Sequence, residues 1–274
     1  MIFADSHVHS EFSSDSTAPM EQMVERAILL GMKKLYFTDH MDIDYPPVSD
    51  HNFLFDPDAY FKKIEELKAK YHNQIKLLVG IELGLQPHLS ERLTTLVNSY
   101  PFDYIIGSSH VVDHEDPYYP SYWENRTKKE GIHRYFETII ENCASFQRFH
   151  SYGHIDYIIR YVPGQLQAVV KEDYSYSDYA DILDIVLKTL IHNGIALEIN
   201  TAGYKYGLGY AHPKPQVLTR YKELGGELIT IGSDAHKPEH LCYDFQLVPD
   251  LLDNVGFQYY ATFEQGKPVF DKIK

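Results

Sequence analysis

Short apolar runs alternate with amphipathic, helix-forming stretches from one end of the chain to the other. The apolar runs cover residues 2–9, 34–38, 75–83, 102–109, 151–157, 195–200 and 227–233. Helical spacing of apolar residues covers residues 20–30, 57–71, 89–100, 128 to about 149, 179–193 and 215–224. Strands that alternate with helices in this way are typical of an α/β fold built on a parallel sheet.

The seven β/α units counted in this way are close to the eight of a closed (β/α)8 barrel. We therefore expect an α/β fold, a distorted TIM-like barrel with seven strands, and keep an open doubly wound sheet as the alternative. No repeat and no Pro/Gly/Ser-rich linker divides the sequence, so we expect a single domain over residues 1–274. Residues 259–274 are expected to add a small strand or to pack across the base of the barrel.

Composition narrows the class of protein. Lys and Arg total 25 and Asp and Glu total 39, which gives a net charge of −14. This charge disfavours binding to nucleic acid or to an anionic membrane surface. The sequence contains two cysteines, no apolar run of about 20 residues and no secretory signal at its start, so we expect a cytoplasmic protein.

Ionisable side chains stand at the C-terminal end of nearly every predicted strand. In a parallel barrel these ends converge on one mouth, and buried imidazoles and carboxylates there are costly unless they are paired or bind metal. One polynuclear metal site accounts for all of them together, whereas separate structural roles need a separate reason for each. The residues concerned are His7, His9, Asp39, His40, Glu82, His110, His154, Glu198, Asn200, Asp234 and His236.

The ligand set contains nitrogen and oxygen but no sulfur, which suits zinc, iron or manganese without choosing among them. A closed tetrahedral site uses four ligands, so this larger set predicts two or three divalent ions. Glu82 is suited to bridge two ions because each carboxylate oxygen can bind one. Water bound between cations becomes a nucleophile near neutral pH, which favours hydrolysis of a phosphate ester.

The ordered motifs resemble those of the PHP (polymerase and histidinol phosphatase) superfamily. These motifs are D-x-H-x-H-S near the N-terminus, then T-D-H, G-x-E, G-S-x-H, G-H-x-D and finally G-S-D-A-H. Residues 12–16 and 197–203 resemble the histidinol-phosphatase branch. The resemblance implies a distorted seven-stranded PHP-type barrel, a three-metal site and, in histidine biosynthesis, hydrolysis of L-histidinol phosphate by a metal-bridging hydroxide.

Motif matching to this family also implies how the ligands divide among three ions. Several relatives carry His at the position of Asp15. The first ion would be held by His7, His9, Glu82 and Asp234, the second by Glu82, His110 and His154, and the third by Asp15, His40 and His236.

Four residues are candidates for work on the substrate. Arg160 follows the G-H-x-D motif and could clamp a phosphate with its guanidinium, or else form an ordinary surface salt bridge. Lys205 lies where the resembling family places a basic phosphate contact. Asp234 or His236 could protonate the leaving alkoxide. The tyrosine-rich stretch 118–123 could form a lid over a small aromatic substrate, or only cover the edge of the barrel.

Other functions fit the same motifs. A PHP-type site also serves in a nuclease or a phosphotyrosine-protein phosphatase, although a nuclease needs a basic channel that a chain of net charge −14 does not suggest. A non-enzymatic metal-binding module would have a closed ligand shell and no phosphate clamp. We therefore expect a small phosphate ester as the partner, and the oligomeric state stays open.

Overall fold

A computed structural model describes residues 2–48, 50–164 and 174–273. Within them, eight strands form one parallel sheet and two more form an antiparallel hairpin near the C-terminus. The strands are β1 Ala4–Val8, β2 Lys34–Phe37, β3 His40–Met41, β4 Lys76–Gly84, β5 Tyr104–Ser108, β6 Ser151–Tyr152, β7 Ala196–Asn200, β8 Ile229–Gly232, β9 Tyr259–Glu264 and β10 Lys267–Lys272.

The parallel sheet curves into a nearly closed barrel. Its order is β1-β2-β4-β5-β6-β7-β8, and the short β3 continues the line of β2 along β4, where His40 lies opposite Glu82. The first and last strands meet where Asp234 N donates to His7 O at 2.8 Å and His9 N donates to Ala235 O at 2.9 Å. The predicted seven-stranded barrel is confirmed, and the open doubly wound sheet is wrong.

Helices cover the outside of the barrel between successive strands, as the alternating pattern predicts. Helix α5 ends at Gly194, whose φ of 65° is the left-handed conformation that glycine adopts without cost. The helices are α1 Met20–Leu29, α2 Pro57–Tyr71, α3 Ser90–Ser99, α4 Lys128–Ser145, α5 Ala180–Asn193, α6 Ala202–Lys205, α7 Pro215–Glu223 and α8 Val248–Val255.

Two predicted elements differ from the structure, and two short helices were not predicted. Helix α4 ends at Ser145 rather than near residue 149, because the chain becomes extended at Phe146. Strand β6 stops at Tyr152, and the rest of the predicted strand becomes a loop and a 3₁₀ helix, Tyr157–Tyr161. The sequence pattern missed α6 and α8, which are only four and eight residues long.

The β9–β10 hairpin closes the base of the barrel, as predicted for the C-terminal segment. Tyr36 donates its hydroxyl to Phe263 O at 2.8 Å and accepts from Phe263 N at 3.2 Å. The Phe263 ring stacks on Tyr104 inside the barrel with 5.3 Å between centroids. This apolar plug leaves the opposite mouth, at the C-terminal ends of the strands, as the place for polar chemistry.

Among the described residues, none of the helices combines the length and apolar character needed to cross a membrane.

Candidate metal centre and active site

Glu82 lies at the centre of the polar mouth, fully buried near the end of β4. Its Oε2 is 3.2 Å from His7 Nε2 and 3.0 Å from His40 Nδ1. Its Oε1 is 3.3 Å from His110 Nε2 and 3.1 Å from His154 Nε2. Four imidazoles from different parts of the barrel therefore converge on the two oxygens of one carboxylate.

The first predicted ligand group lies on the Oε2 side of Glu82. His9 Nε2 is 3.5 Å from Glu82 Oε2 and 3.4 Å from Asp234 Oδ1. Asp234 has a φ of 53°, in the left-handed region, so that the chain turns sharply just after β8 and aims the carboxylate into the mouth. His7, His9 and Glu82 have ligand atoms close enough together to hold one ion.

The second and third groups lie beside the first. Glu82, His110 and His154 form a buried trio with the spacing of a metal site. At the rim, Asp15 Oδ2 is 3.7 Å from His40 Nε2 and 3.2 Å from His236 Nε2. The structure thus brings together all nine residues that the sequence proposed as metal ligands.

Hydrogen bonds fix which nitrogen faces the centre in the rings of His7, His110 and His236. His7 Nδ1 lies 2.6 Å from Glu198 Oε1, and His236 Nδ1 donates to Asp234 O at 3.1 Å. His110 Nδ1 lies 2.9 Å from Asp42 Oδ1. Since a carboxylate or carbonyl oxygen accepts, each Nδ1 carries the proton and each Nε2 keeps a lone pair, the usual arrangement of metal-ligating histidine.

The donor atoms at the centre fit metal ions. Four of them are buried and make no hydrogen bond, namely His7 Nε2, His9 Nε2, His40 Nδ1 and Glu82 Oε2. Buried polar atoms are normally paired, and lone pairs that face one another repel. Cations placed between these nitrogen and oxygen atoms satisfy all four at once.

Charge coupling within the cluster is strong. Burial opposes ionisation of Glu82, yet His7, His110 and His40 hold the pKa of its carboxyl well below the usual value. Burial likewise opposes protonation of His7, but Glu198 and Glu82 raise its pKa well above the usual value. Burial and the neighbouring His236 and His40 have the opposite effect on His9, whose pKa lies well below the usual value.

Two glycines allow this close packing. A Cβ on Gly232 would overlap His7 and approach Glu198 Oε1 to 2.9 Å, so glycine lets β8 pass directly behind the His7 ring. A Cβ on Gly84 would overlap the carboxylate of Asp42. Glycine is therefore needed at both positions, because the backbone passes close to His7 at one and to Asp42, which orients His110, at the other.

Sequence reasoning missed Asp42, which orients His110 and lies 3.9 Å from His40 Nδ1 through its other oxygen. A signal was present, because Asp42 follows His40 at the same i, i+2 spacing as the first histidine pair. Glu198 was noted at a strand end, but its bond to His7 was not predicted.

A second buried pair was also missed. His212 Nδ1 lies 2.5 Å from Asp156 Oδ1, and Asp156 Oδ2 accepts from Tyr174 OH at 2.6 Å and from Lys214 N at 2.9 Å. The G-H-x-D motif placed Asp156 near the centre, but its partners lie 18 or more residues away in sequence. The contact between His212 and Asp156 joins the segment before Arg160 to the loop after β7.

A cavity of about 730 Å³ opens beside the metal centre, and Arg160 lines it. Arg160 is buried, its guanidinium carbon 3.6 Å from the centroid of Tyr206, and its Nη2 donates to Tyr161 OH at 2.9 Å. Its Nη1 is 3.9 Å from Asp234 Oδ2, and its buried Nε makes no hydrogen bond. The alternative reading of Arg160 as a surface salt bridge is wrong.

Lys205 lines the same cavity, and its Nζ donates to Asp234 O at 3.2 Å. Tyr206 lies under both cations, with Lys205 Nζ 4.8 Å from its ring centroid. The two basic side chains proposed for phosphate therefore share one wall of the cavity, next to Asp234 of the metal centre.

The chain matches the model of the PHP domain family over residues 5–202. It is 32% identical over 273 residues to a "Probable histidinol-phosphatase" of Clostridium acetobutylicum, which covers 98% of this chain and 96% of the relative. It is 29% identical over 276 residues to a histidinol-phosphatase of Lactococcus lactis, which covers 98% and 97% of the two chains.

A solved structure shows the same architecture. The crystal structure of histidinol phosphate phosphatase from Lactococcus lactis, complexed with zinc, L-histidinol and phosphate, has a TM-score of 0.87. It is 29% identical to this chain, and the comparison covers 98% of each.

Proposed function

Because the chain belongs to the PHP domain family, we propose that it is a metal-dependent phosphatase that hydrolyses L-histidinol phosphate to L-histidinol and phosphate. The observation that carries this proposal is the cluster of imidazoles around Glu82, which opens into a cavity flanked by Arg160. A non-enzymatic metal module would have neither that cavity nor its buried cation. Relatives with this name match nearly the whole chain.

The cofactors are two or three divalent ions of zinc, iron or manganese. The nine residues above would hold them, and Glu82 belongs to two of the candidate ligand groups. Bound there, the ions supply a hydroxide near neutral pH and offset the charge of a phosphate group. The solved Lactococcus structure contains zinc, which supports a metal of this class.

The chain's own side chains complete the site. Arg160 and Lys205 bind the phosphate oxygens from one wall of the cavity, and the stacked guanidinium of Arg160 is held in place before the substrate arrives. Asp234 or His236 is the candidate for protonating the leaving alkoxide, because both line the cavity.

Two broader proposals accompany this function. The protein acts in the cytoplasm, which fits a biosynthetic enzyme whose two cysteines are both free. Residues 1–274 act as one domain, since the C-terminal hairpin supplies Phe263 to the interior of the barrel formed by the rest of the chain.

The function is tested with a panel of phosphate esters assayed on purified, metal-loaded protein. The panel contains L-histidinol phosphate, phosphotyrosine peptide, single-stranded DNA and p-nitrophenyl phosphate. We expect the largest kcat/KM for L-histidinol phosphate. A preference for the phosphopeptide or for DNA would support one of the other PHP-type activities and contradict the proposal.

A further inference from the structure

The cavity beside the metal centre is lined by basic and by acidic side chains. Arg160 and Lys205 line it next to Asp234. Asp116 and Tyr45 also line the cavity, together with a group of aromatic rings. These rings are Phe53, Tyr118, Tyr119, Tyr157 and Tyr161.

Asp116 is the unusual member of this lining. It is 8% exposed, it accepts from Tyr118 N at 2.7 Å through Oδ1, and Tyr45 donates its hydroxyl to Oδ2. Within residues 2–48, 50–164 and 174–273, no lysine, arginine or histidine nitrogen lies within ion-pair distance of it. Burial raises the pKa of its carboxyl, although the hydrogen bonds from Tyr45 and Tyr118 and the nearby His110 lower it in part.

A buried carboxylate without a cation is costly, and here it faces a cavity rather than a packed core. Aromatic faces beside it add attraction for a cation, because the ring quadrupole is negative above the plane. Tyr45 and Phe53 have centroids 4.7 Å apart, and Tyr118 and Tyr161 have centroids 5.3 Å apart, so the rings lie in two packed pairs.

We propose that Asp116 and the surrounding tyrosines bind the protonated nitrogen end of the substrate while Arg160 and Lys205 bind its phosphate. This inference rests on the proposed function and adds the residue that selects the substrate. A small ester with an anion at one end and a cationic amine or imidazolium at the other matches the cavity. A neutral phosphate ester engages only the phosphate end.

The test compares two substrates on Asp116→Asn, which keeps the shape of the side chain and removes its charge. We expect kcat/KM for L-histidinol phosphate to fall about 10- to 150-fold, the range for losing a hydrogen bond to a charged group. For p-nitrophenyl phosphate, which carries no cationic nitrogen, kcat/KM stays within about threefold. Equal losses on both substrates, or no loss on either, overturn the proposal.

Asp113→Asn is the matched control, because Asp113 is three residues away, pairs with Arg134 at 2.8 Å and does not line the cavity. Its kinetics should equal those of the unchanged protein. If Asp116→Asn does not fold, Tyr45→Phe replaces it, and the same selective loss is expected at a smaller size.

Binding separates this inference from the proposed function. In calorimetry, L-histidinol should bind about 10-fold or more weakly to Asp116→Asn than to the unchanged protein, while inorganic phosphate binds both equally. If the unchanged protein hydrolyses no phosphate ester but shows this selective binding, the proposed function fails and the cation site stands. If L-histidinol binds both proteins equally, the cation site fails.

Discussion

At the residue scale, the burial of Arg160 distinguishes a phosphate-binding role from that of a surface ion pair. An exposed arginine contributes little through a surface ion pair. Arg160 instead is buried, its guanidinium stacks on Tyr206, and its Nη2 donates to the hydroxyl of Tyr161. The stacking leaves part of the guanidinium fork for an anion in the cavity.

Replacing this residue should damage catalysis without removing metal. Arg160→Ala is expected to lower kcat/KM for L-histidinol phosphate by about 10- to 150-fold, because a charged hydrogen-bond donor is lost. Arg160→Lys should recover only part of the activity, since an ammonium lacks the planar fork. Steady-state kinetics with parallel elemental analysis measures both effects.

Arg220→Ala is the control for this experiment. Arg220 lies on the outer helix α7, pairs with Asp184 at 2.7 Å and does not line the cavity. It should leave kcat/KM unchanged. An unchanged kcat/KM in Arg160→Ala would reject the clamp and move the phosphate contact to Lys205.

At the element scale, the sequence predicted what depends on local pattern and missed what depends on distant pairing. The strands and their polar ends were predicted because apolar runs, and histidines at i, i+2, are visible locally. Asp42 follows the two-residue strand β3, and its role was missed because His110, the histidine it orients, lies 68 residues away. Asp116 was missed for the same reason, since its partner Tyr45 lies 71 residues away.

The hairpin at the base gives a prediction about pH. His150 accepts from Ile105 N through Nδ1 at 2.9 Å and stacks on Phe263 with 4.9 Å between centroids. This bond requires the neutral ring, and burial lowers the pKa of His150 from 6.5 to about 4. Between those values the unfolded chain binds the proton more readily, so stability falls as the pH falls.

We expect this one group to remove about 2 kcal/mol of unfolding free energy between pH 7 and pH 5. In His150→Gln, an amide can still accept from Ile105 N but does not titrate, so its loss over this range should be smaller by that amount. Urea unfolding at pH 7, 6 and 5 measures the difference. His192→Gln, at the exposed end of α5, is the control and should follow the unchanged protein. If the unfolding free energy of all three proteins changes equally with pH, the role of His150 is contradicted.

At the scale of the whole molecule, the metal centre and the barrel depend on each other. The ligands of the metal centre come from β1, β3, β4 and the segments after β5, β6 and β8. Bound ions would therefore link strands from most of the barrel at its mouth. Closure between β1 and β8 runs directly through His7, His9 and Asp234, which are themselves candidate ligands. Metal binding should therefore stabilise the closed barrel as a unit.

Metal content and stability should accordingly change together. We expect more than one transition-metal ion per chain in protein purified without chelator, and a loss of melting temperature of roughly 5–10 °C for each ion that chelator removes from a site saturated at about 100 times its Kd. Glu82→Gln keeps the size of the bridging side chain but weakens its hold on two ions, so it should lose at least one ion and most activity. Elemental analysis and calorimetry measure these quantities on the same samples. A chain that holds at most one ion after reconstitution, or a Glu82→Gln protein with full metal and near-normal turnover, would show that the carboxylate at the centre of the barrel does not join neighbouring ions.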